Sequence, residues 1–180
     1  ILMLNSFPTF ETKYLKNFLA ESGHQVIVKN KLTKGKYKYE YFNSAKERVL
    51  ITTNWLKEID VLIIDATSFL NLPSRQRSII NNVIKKEGLG VLILPDINFF
   101  ANKNNKVPFK FLKDKLNYFQ LDGIKNSIPK YNYFLKEDNP LGIIHKNGRK
   151  TYSAFKYVGK GKITTTVAQL TYQLVLSGHV

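Results

Sequence analysis

Three segments of the sequence place polar side chains directly after short apolar runs. The apolar runs are residues 1–4, 61–64 and 91–94, and the segments that follow them read NSFPTFE, DATSF and PDIN. Ligands of parallel α/β proteins bind beyond the carboxyl ends of the strands, where such loops meet. We therefore predict a ligand pocket in these loops, which also carry Ser6 and Asn98. Its candidate residues are Pro8, Thr9, Glu11, Asp65, Thr67, Ser68, Pro95 and Asp96.

The carboxylates of this set could do chemistry. Asp65 and Asp96 end neighbouring predicted strands, and together with Glu11 they could hold Mg²⁺ through oxygen ligands and waters, as in a metal-assisted hydrolase. The alternative, which we favour, is that they accept hydrogen bonds from N–H groups of loops and helix ends. We accordingly assign no metal, no cofactor and no catalytic residue.

Nucleophilic catalysis lacks its usual residue patterns here. The chain has no cysteine, which excludes thiolate nucleophiles, disulfides and cysteine-ligated zinc. Ser68 lies in DATSFLN, without the glycines of the G-x-S-x-G turn. The three histidines, His24, His145 and His179, are far apart and lie outside the strand-end loops, so we expect structural or surface roles for them.

Two glycine-rich stretches could suggest a phosphate-binding loop. VGKGK at 158–162 and GLG at 88–90 both precede predicted strands, whereas phosphate loops lead into the N terminus of a helix. We predict a hairpin turn at 158–162.

The net charge of +15 favours an anionic partner, and a polyanion-binding domain is one possible function. However, four of the 28 basic residues are arginine, and arginine is the residue suited to bidentate contacts with phosphates and bases. We therefore regard nucleic acid as an improbable partner and retain a small polar or anionic ligand.

The strands and helices that hold these loops are predicted most clearly for residues 1–96. The pattern predicts β-α-β-α-β-α-β and hence a doubly wound, mostly parallel α/β sheet. The predicted helices are 10–22, ended by Gly23; 44–59, opened by a capping box of Ser44 and Glu47; and one opened by Pro73 and ended by Gly88. The alternation of Tyr37, Tyr39 and Tyr41 with charged residues indicates an edge strand or an ordered loop.

The second half of the sequence is less regular. FKFLKDKLNYF (109–119) predicts a helix, and residues 141–167 predict antiparallel strands with a hairpin turn at Asn147–Gly148. A last helix is expected over 166–177, ended by Gly178. We find no linker and expect one domain over residues 1–180.

Several segments resemble the class I glutamine amidotransferase-like fold, and in particular the amidotransferase-like domains of bacterial cell-envelope membrane proteins. They are ILMLNSFPTFETKYLKNFLAESGHQVIV, EIDVLIIDATSF and EGLGVLILPD, together with the closing VGKGKITTTVAQLTYQLVLSG and its pair Thr171–Tyr172. The resemblance covers most of residues 1–96 and 158–178. It implies a flavodoxin-like or class I glutamine amidotransferase-like sheet, to which the sequence adds an antiparallel hairpin in the C-terminal half.

The same resemblance argues against the activity of the family. Its catalytic cysteine follows a strand on a tight turn, and the alignment of GVLILPD places Pro95 or Asp96 at that position. Neither side chain supplies a thiolate, so the family's glutaminase route is closed. We expect a non-catalytic binding or assembly module, with the metal-assisted hydrolase and the polyanion-binding domain as alternatives.

The resemblance also implies a setting. We expect a periplasmic domain excised from a longer membrane-anchored protein, which contacts the membrane through segments outside this chain. Its expected partners are other domains or subunits of an envelope complex.

Overall fold

A computed structural model of the chain describes residues 1–101, 107–121, 127–138 and 141–178, without the side chains of Asn98 and Ala101. Its strands are β1 (Leu2–Asn5), β2 (Val26–Thr33), β3 (Lys36–Phe42), β4 (Val61–Asp65), β5 (Gly90–Leu94), β6 (Phe111–Lys113), β7 (Tyr118–Phe119), β8 (Ile128–Pro129), β9 (Tyr133–Leu135), β10 (Gly142–Asn147), β11 (Lys150–Val158) and β12 (Gly161–Thr166). Its helices are α1 (Phe10–Glu21), α2 (Thr53–Leu56), α3 (Ala66–Leu70), α4 (Ser74–Glu87), α5 (Ile97–Ala101) and α6 (Tyr172–Leu176).

In the described part of the chain, ten strands form one sheet. Its order is β3-β2-β1-β4-β5-β12-β11-β9-β6, and β10 pairs with β11. The five strands from β2 to β12 run parallel to one another, whereas the strands on both sides of them pair antiparallel. The predicted α/β class, with a mostly parallel central sheet, is therefore confirmed.

Helices cover both faces of the parallel strands. Leu2 and Leu4 of β1 enter a core that includes Leu56 of α2 and Val83 of α4, whereas Met3 faces the opposite side. There it packs in a smaller core with Leu15 and Leu19 of α1. Alternate residues of a strand point to opposite faces, so strands with apolar side chains on both faces are fixed between two helical layers.

The ends of the long helices follow the sequence rules. Thr9 caps α1 through a capping box in which each of Thr9 and Thr12 accepts a hydrogen bond of 3.1 Å from the other's backbone N–H. Gly88 ends α4 in the left-handed conformation at φ 93°, which glycine adopts without steric cost.

The edge of the sheet on the β3 side is the tyrosine-rich segment, as predicted. β3 pairs antiparallel with β2, with Tyr37 opposite Lys31 and Tyr39 opposite Lys29. Tyr37 and Tyr39 are 44% and 38% exposed, which places lysines and half-buried rings along an edge strand.

The predicted helix over 44–59 is wrong. Ser44 does not cap a helix: its Oγ donates to the carbonyl of Ala45 at 3.3 Å, and the Tyr41 hydroxyl donates to the Glu47 carbonyl at 2.7 Å. Residues 45–51 have no helical turn, and Val49 of this extended segment is buried in the core. Burial of apolar side chains along an extended path thus outweighs the local capping pattern, and only the short α2 forms.

The segment DATSF, which the sequence places in a loop beyond the strand, is largely helical. The chain leaves the sheet at Asp65 and begins α3 at Ala66. The reason is local, because the Asp65 side chain caps the new helix.

Two further helices expected in the C-terminal part, over 109–119 and 166–177, also differ from the structure. FKFLKDKLNYF is not a helix but contains β6 and β7, because Phe111–Lys113 pairs with β9. In 166–177 only α6 is helical. Residues 167–169 stay extended, with Val167 N–H bonded to the Tyr152 carbonyl at 2.8 Å and Gln169 N–H bonded to the Pro129 carbonyl at 2.9 Å.

The antiparallel hairpins are confirmed. β10 and β11 turn at Gly148, with φ 59°, and β11 and β12 turn at Gly159, with φ 63°. A Cβ atom on Gly159 would lie 2.4 Å from the carbonyl oxygen of Lys85, so the turn packs on α4 without room for a side chain. No helix among the described residues has the length and apolar character needed to cross a membrane.

Candidate functional site

A large cleft lies beyond the carboxyl ends of β1, β4 and β5, on the side of the sheet covered by α1. We call it the α1-side cleft, and its volume is about 610 Å³. Most of its walls are apolar or aromatic. The lining rings are Phe7, Phe10, Tyr14, Phe18, Tyr131 and Tyr172.

The cleft exists because α1 does not cover the whole sheet. Leu92 and Leu94 of β5 are only partly buried and form part of its lining. The opposite wall is residues 168–175, where the Tyr172 ring lies 5.7 Å from both the Phe10 and Tyr14 rings. The end of the described chain thus closes a space between α1 and the sheet.

Glu11 ties the two walls together. One carboxylate oxygen, Oε1, accepts hydrogen bonds from the backbone N–H of Thr171 at 3.2 Å and from the Thr171 hydroxyl. The other, Oε2, is buried and has no hydrogen-bond donor among the described residues. A buried carboxylate oxygen without a donor is costly, and Glu11 is one of the few charged residues that line the cleft.

Tyr131 supplies a second polar group. Its backbone N–H bonds to the Val167 carbonyl at 2.9 Å, and its ring packs 5.0 Å from Phe100. Burial raises the pKa of the Tyr131 phenol, and the negative charges of Asp96 and Glu11 raise it further. The phenol therefore stays protonated at neutral pH and can donate or accept a hydrogen bond in the cleft.

Asp65 is occupied by local hydrogen bonds. Its Oδ1 accepts from the Ser68 N–H at 2.6 Å, and its Oδ2 accepts from the Ser6 hydroxyl at 2.8 Å and from the Ser6 N–H. The carboxylate caps α3 and fastens the loop after β1 to the end of β4.

Asp96 has the same role at the next strand. Its Oδ1 accepts from the Phe99 N–H at 2.8 Å and its Oδ2 from the Thr67 hydroxyl at 2.8 Å. The capping alternative proposed from the sequence thus describes both aspartates. No three histidine or carboxylate side chains of the described residues form a group that could hold a metal ion.

The predicted pocket residues separate into two groups. Thr9, Glu11, Asp65, Pro95 and Asp96 line the α1-side cleft, whereas Pro8 does not. Thr67 and Ser68 line a different pocket on the opposite side of the sheet edge.

That second pocket, which we call the lysine pocket, has a volume of about 170 Å³ and shares Ser6 with the cleft. The two spaces are separated because α3 begins directly after Asp65 and turns Thr67 and Ser68 away from α1.

The histidines stay outside the cleft lining where they are described. His24 follows α1 in a turn, and His145 of β10 packs its ring 4.9 Å from Phe119. His179 and the side chain of Asn98 lie outside the described residues.

Sequence reasoning missed the wall formed by the C-terminal part. Tyr131 lies in a stretch without regular periodicity, and no local pattern identifies it. Thr171 and Tyr172 were noted as a pair, but as part of an expected helix and not as cleft residues.

Comparisons with known proteins concern the fold. No family model matches the chain, and no curated protein matches it. Among solved structures, an exo-β-1,4-mannosidase, Op5Man5 from Opitutaceae bacterium strain TAV5, is similar over 99% of this chain with a TM-score of 0.58 and 11% identity. The chain spans only 33% of that mannosidase.

A second similar structure is the cytoplasmic protein STM1381 from Salmonella typhimurium LT2. It matches 98% of this chain and 93% of its own length, with a TM-score of 0.50 and 10% identity. At such identities the likeness extends to the fold alone, and we conclude that the chain has the same mixed α/β architecture as these two proteins.

Proposed function

We propose that the chain is a non-catalytic binding module and that its ligand occupies the α1-side cleft. The ligand has an apolar, ring-sized face and at least one hydrogen-bond donor. The observation that carries the proposal is a cleft of about 610 Å³ with largely aromatic walls, whose lining includes Glu11, a carboxylate with one oxygen that has no donor among the described residues.

The chemistry of the walls supports this ligand class. Ligand sites are typically apolar concavities with a few polar groups that fix orientation. Here the aromatic rings offer stacking surfaces, and Glu11 and Tyr131 are the polar groups. Phe7 and Phe10 at the rim are 58% and 64% exposed, and a ligand that covers them removes apolar surface from water.

The absence of cysteine and the end of β5 support a role without glutaminase chemistry. Pro95 follows β5 directly, at the position where the family resemblance expects the nucleophile, and proline has neither a nucleophilic side chain nor a backbone N–H. The carboxylates of Asp65 and Asp96 are engaged as caps, which speaks against the metal-assisted hydrolase.

The setting proposed is an amidotransferase-like, flavodoxin-like domain within a larger bacterial envelope protein, facing the periplasm. The likeness to one third of the mannosidase chain supports only the narrower idea that this fold occurs as part of longer chains. In that setting, the exposed rim of the cleft could face other domains or subunits of the complex.

The cleft is tested with a neutral apolar dye, 1-N-phenylnaphthylamine, whose fluorescence rises in apolar sites. Wild-type protein is expected to bind the dye saturably. Ala168→Trp places an indole in the cleft and should weaken dye binding about tenfold, whereas Ala45→Trp, at an exposed alanine outside the cleft, should not change it.

A second cleft variant keeps the test valid if Ala168→Trp does not fold. Leu170→Asp introduces a charge at a wall position that is 41% exposed and should also weaken dye binding. Equal dye affinity in all four proteins would contradict the proposal. Release of ammonia from glutamine by the pure protein would contradict its non-catalytic part, and a thermal shift with Mg²⁺, Ca²⁺ or Zn²⁺ would revive the metal alternative.

A further inference from the structure

The lysine pocket differs in chemistry from the α1-side cleft. It lies between β2 and the loops around α3 and α4, and polar side chains form much of its lining. Two lysines, Lys29 and Lys31, are among the lining residues, and none of the lining residues is acidic. The two lysines are two positions apart on β2 and thus point to the same side of the strand.

Lys29 is a partly buried cation without an anionic partner in the described chain. Its Nζ lies 4.3 Å from the centre of the Tyr37 ring and 5.9 Å from that of Tyr39. Burial lowers the pKa of the Lys29 ammonium. Lys16, on the other side of the sheet, is instead paired with Glu40. A desolvated ammonium held by rings alone favours the arrival of an anion.

The first turn of α4 forms another wall of this pocket through Pro73 and Gln76. Pro73 provides no side-chain cap, and the first turn has no acidic residue. The backbone N–H groups at this end of a 14-residue helix thus lack a side-chain acceptor. The partial positive charge of the helix end adds to that of the lysines.

Several side chains of the lining have polar atoms without a hydrogen bond. The Ser68 hydroxyl and the Gln76 amide have no hydrogen bond to another described residue, whereas the Thr67 and Ser6 hydroxyls are used by Asp96 and Asp65. The pocket therefore combines two cations, a hydroxyl and an amide around about 170 Å³, beside the uncapped start of α4.

We propose that the lysine pocket binds the phosphate group of a small phosphorylated molecule. The donors come from three separate elements, β2, α3 and α4, and a phosphate presents several oxygens that can accept from all of them. The site is separate from the α1-side cleft, so it does not depend on the function proposed for that cleft.

The experiment measures binding of inorganic phosphate to the native protein, by ³¹P NMR line broadening and by thermal shift, with chloride at equal ionic strength as the reference. Wild-type protein is expected to bind phosphate saturably. Lys29→Gln should lose about tenfold in affinity, since it removes one charge-assisted contact.

Lys162→Gln is the matched control, because Lys162 also lies over two rings, 5.0 Å from Phe155 and 5.1 Å from Tyr157, but outside the pocket. The variant lowers the net charge equally and should keep the wild-type affinity. Gln76→Glu is a second test that leaves the fold intact, since a carboxylate in the first turn favours helix α4. It should abolish phosphate binding by repulsion.

Equal loss in Lys29→Gln and Lys162→Gln would mean that phosphate responds to net charge only and would overturn the proposal. The absence of saturable binding by the wild type would overturn it too, as would retention of full affinity in folded Gln76→Glu. Dye binding in the α1-side cleft should be unchanged in Lys29→Gln and Gln76→Glu, which separates this site from the other.

Discussion

The parallel half of the molecule, residues 1–94, and the C-terminal half, described over 107–121, 127–138 and 141–178, are held together in different ways. In the parallel half, buried aliphatic side chains such as Leu2, Leu62 and Ile64 lie between helical layers. The C-terminal half, where most strands pair antiparallel, contains a buried ion pair, in which Lys130 Nζ lies 3.1 Å from Asp114 Oδ2 and both side chains are fully buried.

Lys130 acts as a link between otherwise irregular segments. Its ammonium donates to the carbonyls of Leu116 at 2.7 Å, Tyr131 at 3.1 Å and Tyr133 at 3.1 Å. Apolar burial continues into this half through side chains such as Phe119, Ile128 and Leu135, and the buried charge network adds to it. The wall at residues 168–175 meets this network through the bridge between Lys130 and Ala168, whereas α1 packs on the sheet through Leu15 and Leu19.

The largest expected effect is the loss of this network. Asp114→Ala leaves Lys130 buried without its carboxylate and should lower the free energy of unfolding by about 3–5 kcal/mol. Asp138→Ala breaks the more exposed pair with Lys156 and should cost less than about 1 kcal/mol. Urea denaturation measures both. A cost for Asp114→Ala as small as that of the control would remove the contrast between the halves.

The corresponding change in the parallel half is Ile64→Ala, at a side chain with 0% exposure. Loss of apolar contacts and the resulting cavity should cost about 2–5 kcal/mol. Ile144→Ala, at a position that is 56% exposed, should change stability by less than about 0.5 kcal/mol. If the two isoleucine variants were equally stable in urea, apolar burial would not be what holds the parallel half.

Acid should weaken the C-terminal half through Asp114. Burial disfavours the charged carboxylate, but hydrogen bonds from Lys150 and Lys130 outweigh it and lower the Asp114 pKa from 3.8 to about 2. A depressed pKa contributes stability that is present above the unfolded value and is lost as the pH falls through the folded one. We expect a loss of about 2 kcal/mol between about pH 5 and pH 2.

The measurement compares urea denaturation of wild type and Asp114→Asn across this pH range. The wild type should be the more stable protein at pH 5, and the difference should shrink towards pH 2. A difference that is independent of pH would show that Asp114 stabilises the protein without its charge.

The smallest expected loss of stability is at Asp96, in the α1-side cleft, which both halves line. Asp96→Ala removes the acceptor for the Phe99 N–H and the Thr67 hydroxyl and should cost about 1 kcal/mol, the usual value of a helix cap. Circular dichroism should find the fold retained. Complete unfolding of this variant would give Asp96 a larger structural role than a cap.

The sequence anticipates best those elements that have a clear residue pattern. β1, β4 and β5 were predicted because short apolar runs followed by polar or turn-forming residues leave few alternatives. The edge strand β3 and the turns at Gly148 and Gly159 were predicted from alternation and turn residues. The expected helix over 109–119 failed, because two- and three-residue strands such as β6 and β7 have too few residues to display a period.

The candidate site was predicted in position but not in composition. The strand-end rule identified Thr9, Glu11 and Asp96, since it depends only on the order of elements. It grouped Thr67 and Ser68 with them, and the structure separates these two residues because the start of α3 turns them to the other side. Whether the cleft is functional and whether the domain belongs to an envelope protein stay predictions.

The sequence was sufficient for the parallel strands β1, β2, β4 and β5, for the long helices α1 and α4 and for the lack of a thiolate, because these depend on residue types and short-range periodicity. The tertiary structure was needed for the wall of the cleft. There the Thr171 N–H donates to Glu11, and Tyr131 lies near Glu11 and Asp96. Those contacts join residues up to 160 positions apart, and they depend on the folded geometry, which local patterns do not encode.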